Sequence, residues 1–222
     1  MAQALEPGVH GEDDLIEIAT RLACEGYWQD IKQVMEVSRV FRYDEQLWDA
    51  MKDEPGGGRR KKTRLMYAAK IGDLERVRFL LDRGARVNKG CLDDGYTALM
   101  SATRDGHLEV ARLLLDRGAI VNDGRTNDGF TSLMVVSKKG FLEIARLLLD
   151  RGANVNTART TDGMTSLMWT AQLGHLEIAR LLLDRGANVI AACTDDGATA
   201  LILACEYGHL EIARLLLKGV QM

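Results

Sequence analysis

Apolar and polar positions along most of this chain follow a helical rhythm nested inside a longer one. Between His175 and Arg185, the residues Leu176, Ile178, Ala179, Leu181, Leu182 and Leu183 form an apolar stripe. Glu177, Arg180 and Asp184 fall on the opposite side at spacings of three and four, where charges pair across helical turns. The pattern predicts a helix over 175–185, ended by Gly186, which tolerates the left-handed backbone of a helix end. Just upstream, Thr165–Leu173 (TSLMWTAQL) reads as a shorter helix stopped by Gly174. A Thr-Asp-Asp-Gly turn at 194–197 then leads into the next short helix.

The phrase HLEIARLLLDRGANV at 175–189 recurs as HLEVARLLLDRGAIV from His107, FLEIARLLLDRGANV from Phe141 and HLEIARLLLKG from His209. Thr63, Thr97, Thr131, Thr165 and Thr199 are each 34 residues apart, as are Gly72, Gly106, Gly140, Gly174 and Gly208. A fixed period of this size signals stacked supersecondary units. One helix pair cannot bury its own apolar face, whereas five stacked pairs form a continuous core with contacts between neighbours. The expectation is an all-α solenoid over residues 63–222.

The stretch DGYTALMSATRDGHLEVARLLLDRGAIVN, Asp94 to Asn122, resembles the ankyrin repeat, whose pattern is DGxTPLHxAAxxGHxxIVxxLLxxGAxxN. The likeness covers about 160 of the 222 residues and recurs five times. Departures are visible. The family's TPLH is TRLM, TALM, TSLM, TSLM and TALI here, so its Pro and His are missing throughout. The period exceeds the usual ~33 residues by one, which falls in the fingers between repeats, as in Asn122–Gly129. The first repeat lacks its finger Asp-Gly, and the last stops at LLLKGVQM, leaving Leu215 and Leu216 partly uncovered in this reading.

Charge divides the chain. Residues 1–54 hold 13 acidic and 5 basic side chains, a net of −8; the remaining 168 hold 19 acidic and 24 basic, a net of +5. Between them EPGGGRRKK, Glu54 to Lys62, marks a boundary. Three regions are therefore expected: an acidic helical segment at 1–54, a Gly/basic linker at 55–62 and five repeats at 63–222. Leu15, Ile18, Leu22, Ile31, Val34 and Val37 have helical spacing within the first region. One reading makes it a cap over the first repeat, since GYWQDIKQVM parallels GDLERVRFLL from Gly72. The other makes it an F-box, which its VSRVFR and following Leu47-Trp48 resemble, and which would imply a substrate-recognition subunit of a ubiquitin ligase. The usual opening Leu-Pro of that module is absent.

The overall charge of −3 points to neither nucleic acid nor membrane, and no apolar run approaches the ~18 residues a membrane span needs. Four cysteines without CxxC pairing suit a reducing, cytoplasmic setting. Arg59–Lys62 (RRKK) has the composition of a nuclear localisation signal or of a solvated linker. No nucleophile elbow, P-loop, HExxH or zinc spacing occurs, so neither enzyme activity nor a cofactor is expected; the alternative of an enzyme would need a polar pocket between the N-terminal helices and the first repeat. His107, His175 and His209 read as caps of the second helices, and Asn88, Asn122 and Asn156 as side chains closing the fingers, which also resemble the finger asparagines that an asparaginyl hydroxylase modifies in ankyrin proteins. Leu92–Gly95 and Thr194–Gly197 begin like calcium loops but lack the bidentate Glu at the twelfth position, so turn chemistry accounts for them.

Function is then expected in surface residues that vary between repeats. The resemblance implies protein recognition along a concave face of fingers and first helices. The varying residues there are Tyr96, Phe130 and Met164 after the finger glycines, Trp169 within a first helix, and Arg104, Asp105, Lys138, Lys139, Gln172, Leu173, Glu206 and Tyr207 before the helix-ending glycines. Aromatics, Met and Arg are enriched in interface cores. Trp169 stands where other repeats have Tyr67, Ser101, Val135 and Leu203, a position suited to core or groove. The expected partner is a protein or peptide of mixed charge, and the protein a monomer.

Overall fold

The computed structural model describes residues 63–91 and 94–220. The N-terminal segment at 1–54, with its cap and F-box readings, and the linker at 55–62 lie outside the described residues. Ten helices follow in pairs: α1 Arg64–Ile71 and α2 Leu74–Asp82; α3 Ala98–Asp105 and α4 Leu108–Asp116; α5 Ser132–Lys139 and α6 Leu142–Asp150; α7 Ser166–Leu173 and α8 Leu176–Asp184; α9 Ala200–Glu206 and α10 Leu210–Val220. First helices stack on first helices and second on second, giving two layers. Among the described residues there are no strands, only isolated bridges that close three fingers: Gly124 with Thr131, Ala158 with Thr165 and Ala192 with Thr199.

Each first helix begins on its threonine. The side chains of Thr63, Thr97, Thr131, Thr165 and Thr199 accept the N–H three residues on, satisfying one of the orphan donors of the first turn. Two repeats add a reciprocal bond to the cap. The sulfurs of Met66 and Met168 accept the N–H of Thr63 and Thr165 at 3.4 Å. In the last repeat Ile202 has no acceptor to offer and lies half exposed. Helix α7 starts at Ser166 and α8 runs only from Leu176 to Asp184, because Thr165, His175 and Arg185 serve as caps rather than helical residues.

The core is one continuous column. Leu114, Leu148, Leu182 and Leu216, one on each of α4, α6, α8 and α10, are each fully buried. Leu216 is thus covered, contrary to the expectation for the last repeat, and Leu215 is half-buried. The exposed apolar side chains of that repeat are Ile202, Leu210 and Leu217. On the outside of the second helices, Arg117 reaches back to Asp82, Arg151 to Asp116 and Arg185 to Asp150, at 2.7–2.8 Å. In the second, third and fourth repeats the Arg of Asp-Arg-Gly therefore pairs with the Asp of the repeat before. These pairs are solvent-exposed and contribute at most about 1 kcal/mol each.

Candidate partner-binding face

Each finger is held by an aspartate. Asp94, Asp128, Asp162 and Asp196 accept the N–H two residues on, from Tyr96, Phe130, Met164 and Ala198, a local turn favoured by this residue type. Fingers are also zipped together, with Thr126, Thr160 and Thr194 donating to the carbonyls of Asp94, Asp128 and Asp162 at 2.9 Å. Arg125 pairs with Asp128, and Arg159 with Asp162 at 3.2 Å. The Asp128 carboxyl titrates below its ordinary range: burial alone would raise it, but Arg125 and the Phe130 N–H together outweigh burial.

Two of the expected site residues are buried: Tyr96 is 8% exposed and Met164 7%. Tyr96 turns inward and donates its hydroxyl to the Met100 carbonyl at 3.0 Å, and burial holds its phenol above the usual tyrosine range. Met164 packs beneath the next finger, its sulfur 3.4 Å from Cys193 Sγ. Both brace the fingers from below.

Phe130, Lys138 and Trp169 come together. Trp169 meets the Phe130 ring edge-on at 6.1 Å and 85°, and Lys138 Nζ lies 4.3 Å above the indole. Trp169 is half-buried, so it belongs to core and groove at once; its Nε1 is buried without a hydrogen-bond partner among the described residues. Arg125, which is not among the residues expected from variation between repeats, lies 5.3 Å from the Phe130 ring centre. Its spacing of three from Asp128 was the available signal.

The remaining side chains line the ends of the first helices. Arg104 grips Asp105 through two bonds of 3.3 Å, neutralising both, and sits 5.6 Å over the Tyr96 ring. Lys138 and Lys139 project into solvent at the end of α5, and Glu206 does so at the end of α9. Gln172 donates to the Tyr207 hydroxyl at 3.1 Å, while Leu173 and Tyr207 remain 42% and 50% exposed. The face therefore carries separate local groups rather than one cavity.

The histidines also tie repeats together. His107 and His175 stand at N-cap positions without a side-chain cap bond, and the Nε2 atoms of His107, His175 and His209 reach the carbonyls of Lys70, Lys138 and Gln172 in the preceding repeat, at 2.9, 3.4 and 3.1 Å. The asparagines likewise bridge repeats. Asn122 donates to the Gly152 carbonyl at 3.1 Å and accepts the Asn154 N–H at 2.8 Å, and Asn88 and Asn156 do the same one repeat before and after. Among the described residues no group of three His, Cys, Asp or Glu could hold a metal ion.

The cysteines differ in reach. Cys205 is exposed and Cys91 buried, while burial and then the Asp196, Asp162 and Asp195 carboxylates push the half-buried Cys193 thiol up. Only thiolates react readily with disulfide reagents. At pH 8 Cys205→Ser should therefore remove a fast phase of labelling by an aromatic disulfide. Cys193→Ser should leave that phase intact; a loss of the fast phase in Cys193→Ser would contradict the burial.

Five stacked helix pairs with zipped fingers define a helical repeat solenoid. The family model described as Ankyrin repeats (3 copies) matches residues 65–159 and 157–222, and the chain belongs to the ankyrin repeat family. No curated protein matches the chain. Ankyrin repeats are generally protein–protein interaction modules and typically non-enzymatic. No helix of the described residues is long and apolar enough to cross a membrane.

Proposed function

We propose that the array binds a partner protein or peptide through its concave face, formed by the fingers and the first helices, and performs no chemistry of its own. One observation carries this reading. Four of the five second helices are nearly identical in sequence, and three of them present the same Glu-Arg pair, Glu109 with Arg112, Glu177 with Arg180 and Glu211 with Arg214. A surface that repeats cannot fix register, because a partner sliding by one repeat would lose little. The finger and first-helix residues change from repeat to repeat, so they can discriminate. Phe130, Lys138, Trp169, Leu173 and Tyr207 supply an aromatic and apolar anchor area beside charge. The ligase-subunit alternative rests on residues 1–54, outside the described part, and no described residue favours it.

The test needs a partner, obtained by affinity capture and mass spectrometry and then confirmed with purified components. Trp169→Ala and Lys138→Ala should each weaken binding by more than ~1 kcal/mol in calorimetry, as anchors at an interface centre do. Arg146→Ala and Arg180→Ala, on the second helices, should change it by less than ~0.5 kcal/mol. The reverse ranking, in variants that unfold like the parent, would assign binding to the other face.

A further inference from the structure

The ends of the first helices carry an ordered set of charges. Two residues before each helix-ending glycine stand Lys70, Arg104, Lys138, Gln172 and Glu206, and the neighbouring positions hold Ile71, Asp105, Lys139, Leu173 and Tyr207. Arg104 and Asp105 cancel each other. What remains is positive at the first and third repeats, apolar at the fourth and negative at the fifth. Lys138, Lys139 and Glu206 have no ion-pair partner among the described residues. The fingers extend the gradient. Arg125 and Arg159 neutralise Asp128 and Asp162, but Cys193 stands at the equivalent place in the last finger, leaving Asp195 and Asp196 exposed without an arginine.

Helix stability accounts for only half of this. A lysine in the last turn complements the negative end of the helix dipole, so Lys70, Lys138 and Lys139 stabilise the helices they end. Glu206 ends α9 with the wrong sign for that purpose. Its exposed carboxylate adds to the negative charge of Asp195 and Asp196, which precede α9 in the same repeat.

We propose that the occupant of this face is an extended peptide segment of bipolar charge: an acidic side chain over Lys138 and Lys139, an apolar one against Trp169, Leu173 and Tyr207, and a basic one at Glu206. This rests on the concave-face reading above. Neighbouring helices stack about 8–10 Å apart and an extended chain rises about 3.3 Å per residue, so the three side chains should be spaced by about three residues each. The order is fixed by the array: reversing it would set acid against Glu206 and base against the lysines, which like-charge repulsion opposes.

Selection of random displayed peptides on the immobilised full-length chain tests this. Enriched peptides should share an acidic, an apolar and a basic residue in that spacing. The double variant Lys138→Glu/Lys139→Glu should bind the best of them about tenfold more weakly at low salt, and a peptide with its acid changed to lysine should recover the loss on that variant. Circular dichroism melts check that each variant folds as the parent does. If Trp169→Ala abolishes binding while charge reversal has no effect, the charge order is wrong and the concave face stands. If neither substitution matters, or the selection yields no binder, both readings fall.

Discussion

Gly140→Ala should lower the stability of the array by about 3 kcal/mol, against about 1 kcal/mol for Gly152→Ala in the same repeat, because only the first combines left-handed backbone with a steric clash. Both glycines have a left-handed backbone, φ 82° and 84°, where a Cβ meets its own carbonyl. Around Gly152 an added Cβ would find open space. At Gly140 it would stand 2.7 Å from Cε1 of His175, whose ring lies on the glycine while its Nε2 approaches the Lys138 carbonyl. The ring must leave, and its inter-repeat bond leaves with it. The pair is therefore coupled: Gly140→Ala/His175→Ala should cost less than the two single changes added together, by about 1 kcal/mol or more. Urea unfolding of the four proteins measures this. Equal costs for Gly140→Ala and Gly152→Ala would show that the ring can step aside freely, and that the histidine does not lock adjacent repeats.

The same glycines show what the sequence revealed and what it hid. Their 34-residue spacing announced a solenoid, and the apolar stripe of 175–185 placed α8 to within one residue at each end. What escaped were the contacts between repeats. His107 was read as a cap for its own helix because a cap is local, yet its ring bonds Lys70, 37 residues away, one period plus three. Asn122 was read as closing its own finger, and instead spans to Gly152 and Asn154. In both cases a pattern read within one repeat missed a partner in the next. The face itself was legible only in part. Variation between repeats located Lys138, Leu173 and Tyr207 correctly on the surface, but it could not tell an aromatic that points out from one that points in. Tyr96 and Phe130 hold equivalent positions. Tyr96 has a carbonyl, that of Met100, within reach of its hydroxyl and buries itself. Phe130 has no such handle and rests half-buried against Trp169.

Stacking with contacts only between neighbours also makes the same substitution act differently by position. Leu148 and Leu216 occupy equivalent places on α6 and α10, and both are fully shielded from solvent. Truncating a buried Leu to Ala costs roughly 2–5 kcal/mol, with the larger values where surrounding atoms cannot relax into the cavity. Leu148 is enclosed by repeats on both sides. Leu216 lies in the last repeat, on a helix whose Leu210 and Leu217 are more than half exposed. Leu148→Ala should thus fall near the upper end of that range and Leu216→Ala near the lower. The shape of the transition should differ as well. A cavity in the third repeat weakens both interfaces it shares, so the two halves of the array lose their coupling and the urea transition broadens or divides. A cavity in the fifth repeat lets that repeat fray first while the remainder unfolds together, and hydrogen exchange should show fast amides confined to α9 and α10. If the central variant keeps a single transition as steep as the parent's, coupling does not pass through the Leu148 column, and the finger zippers and the histidine and asparagine bridges must carry it instead.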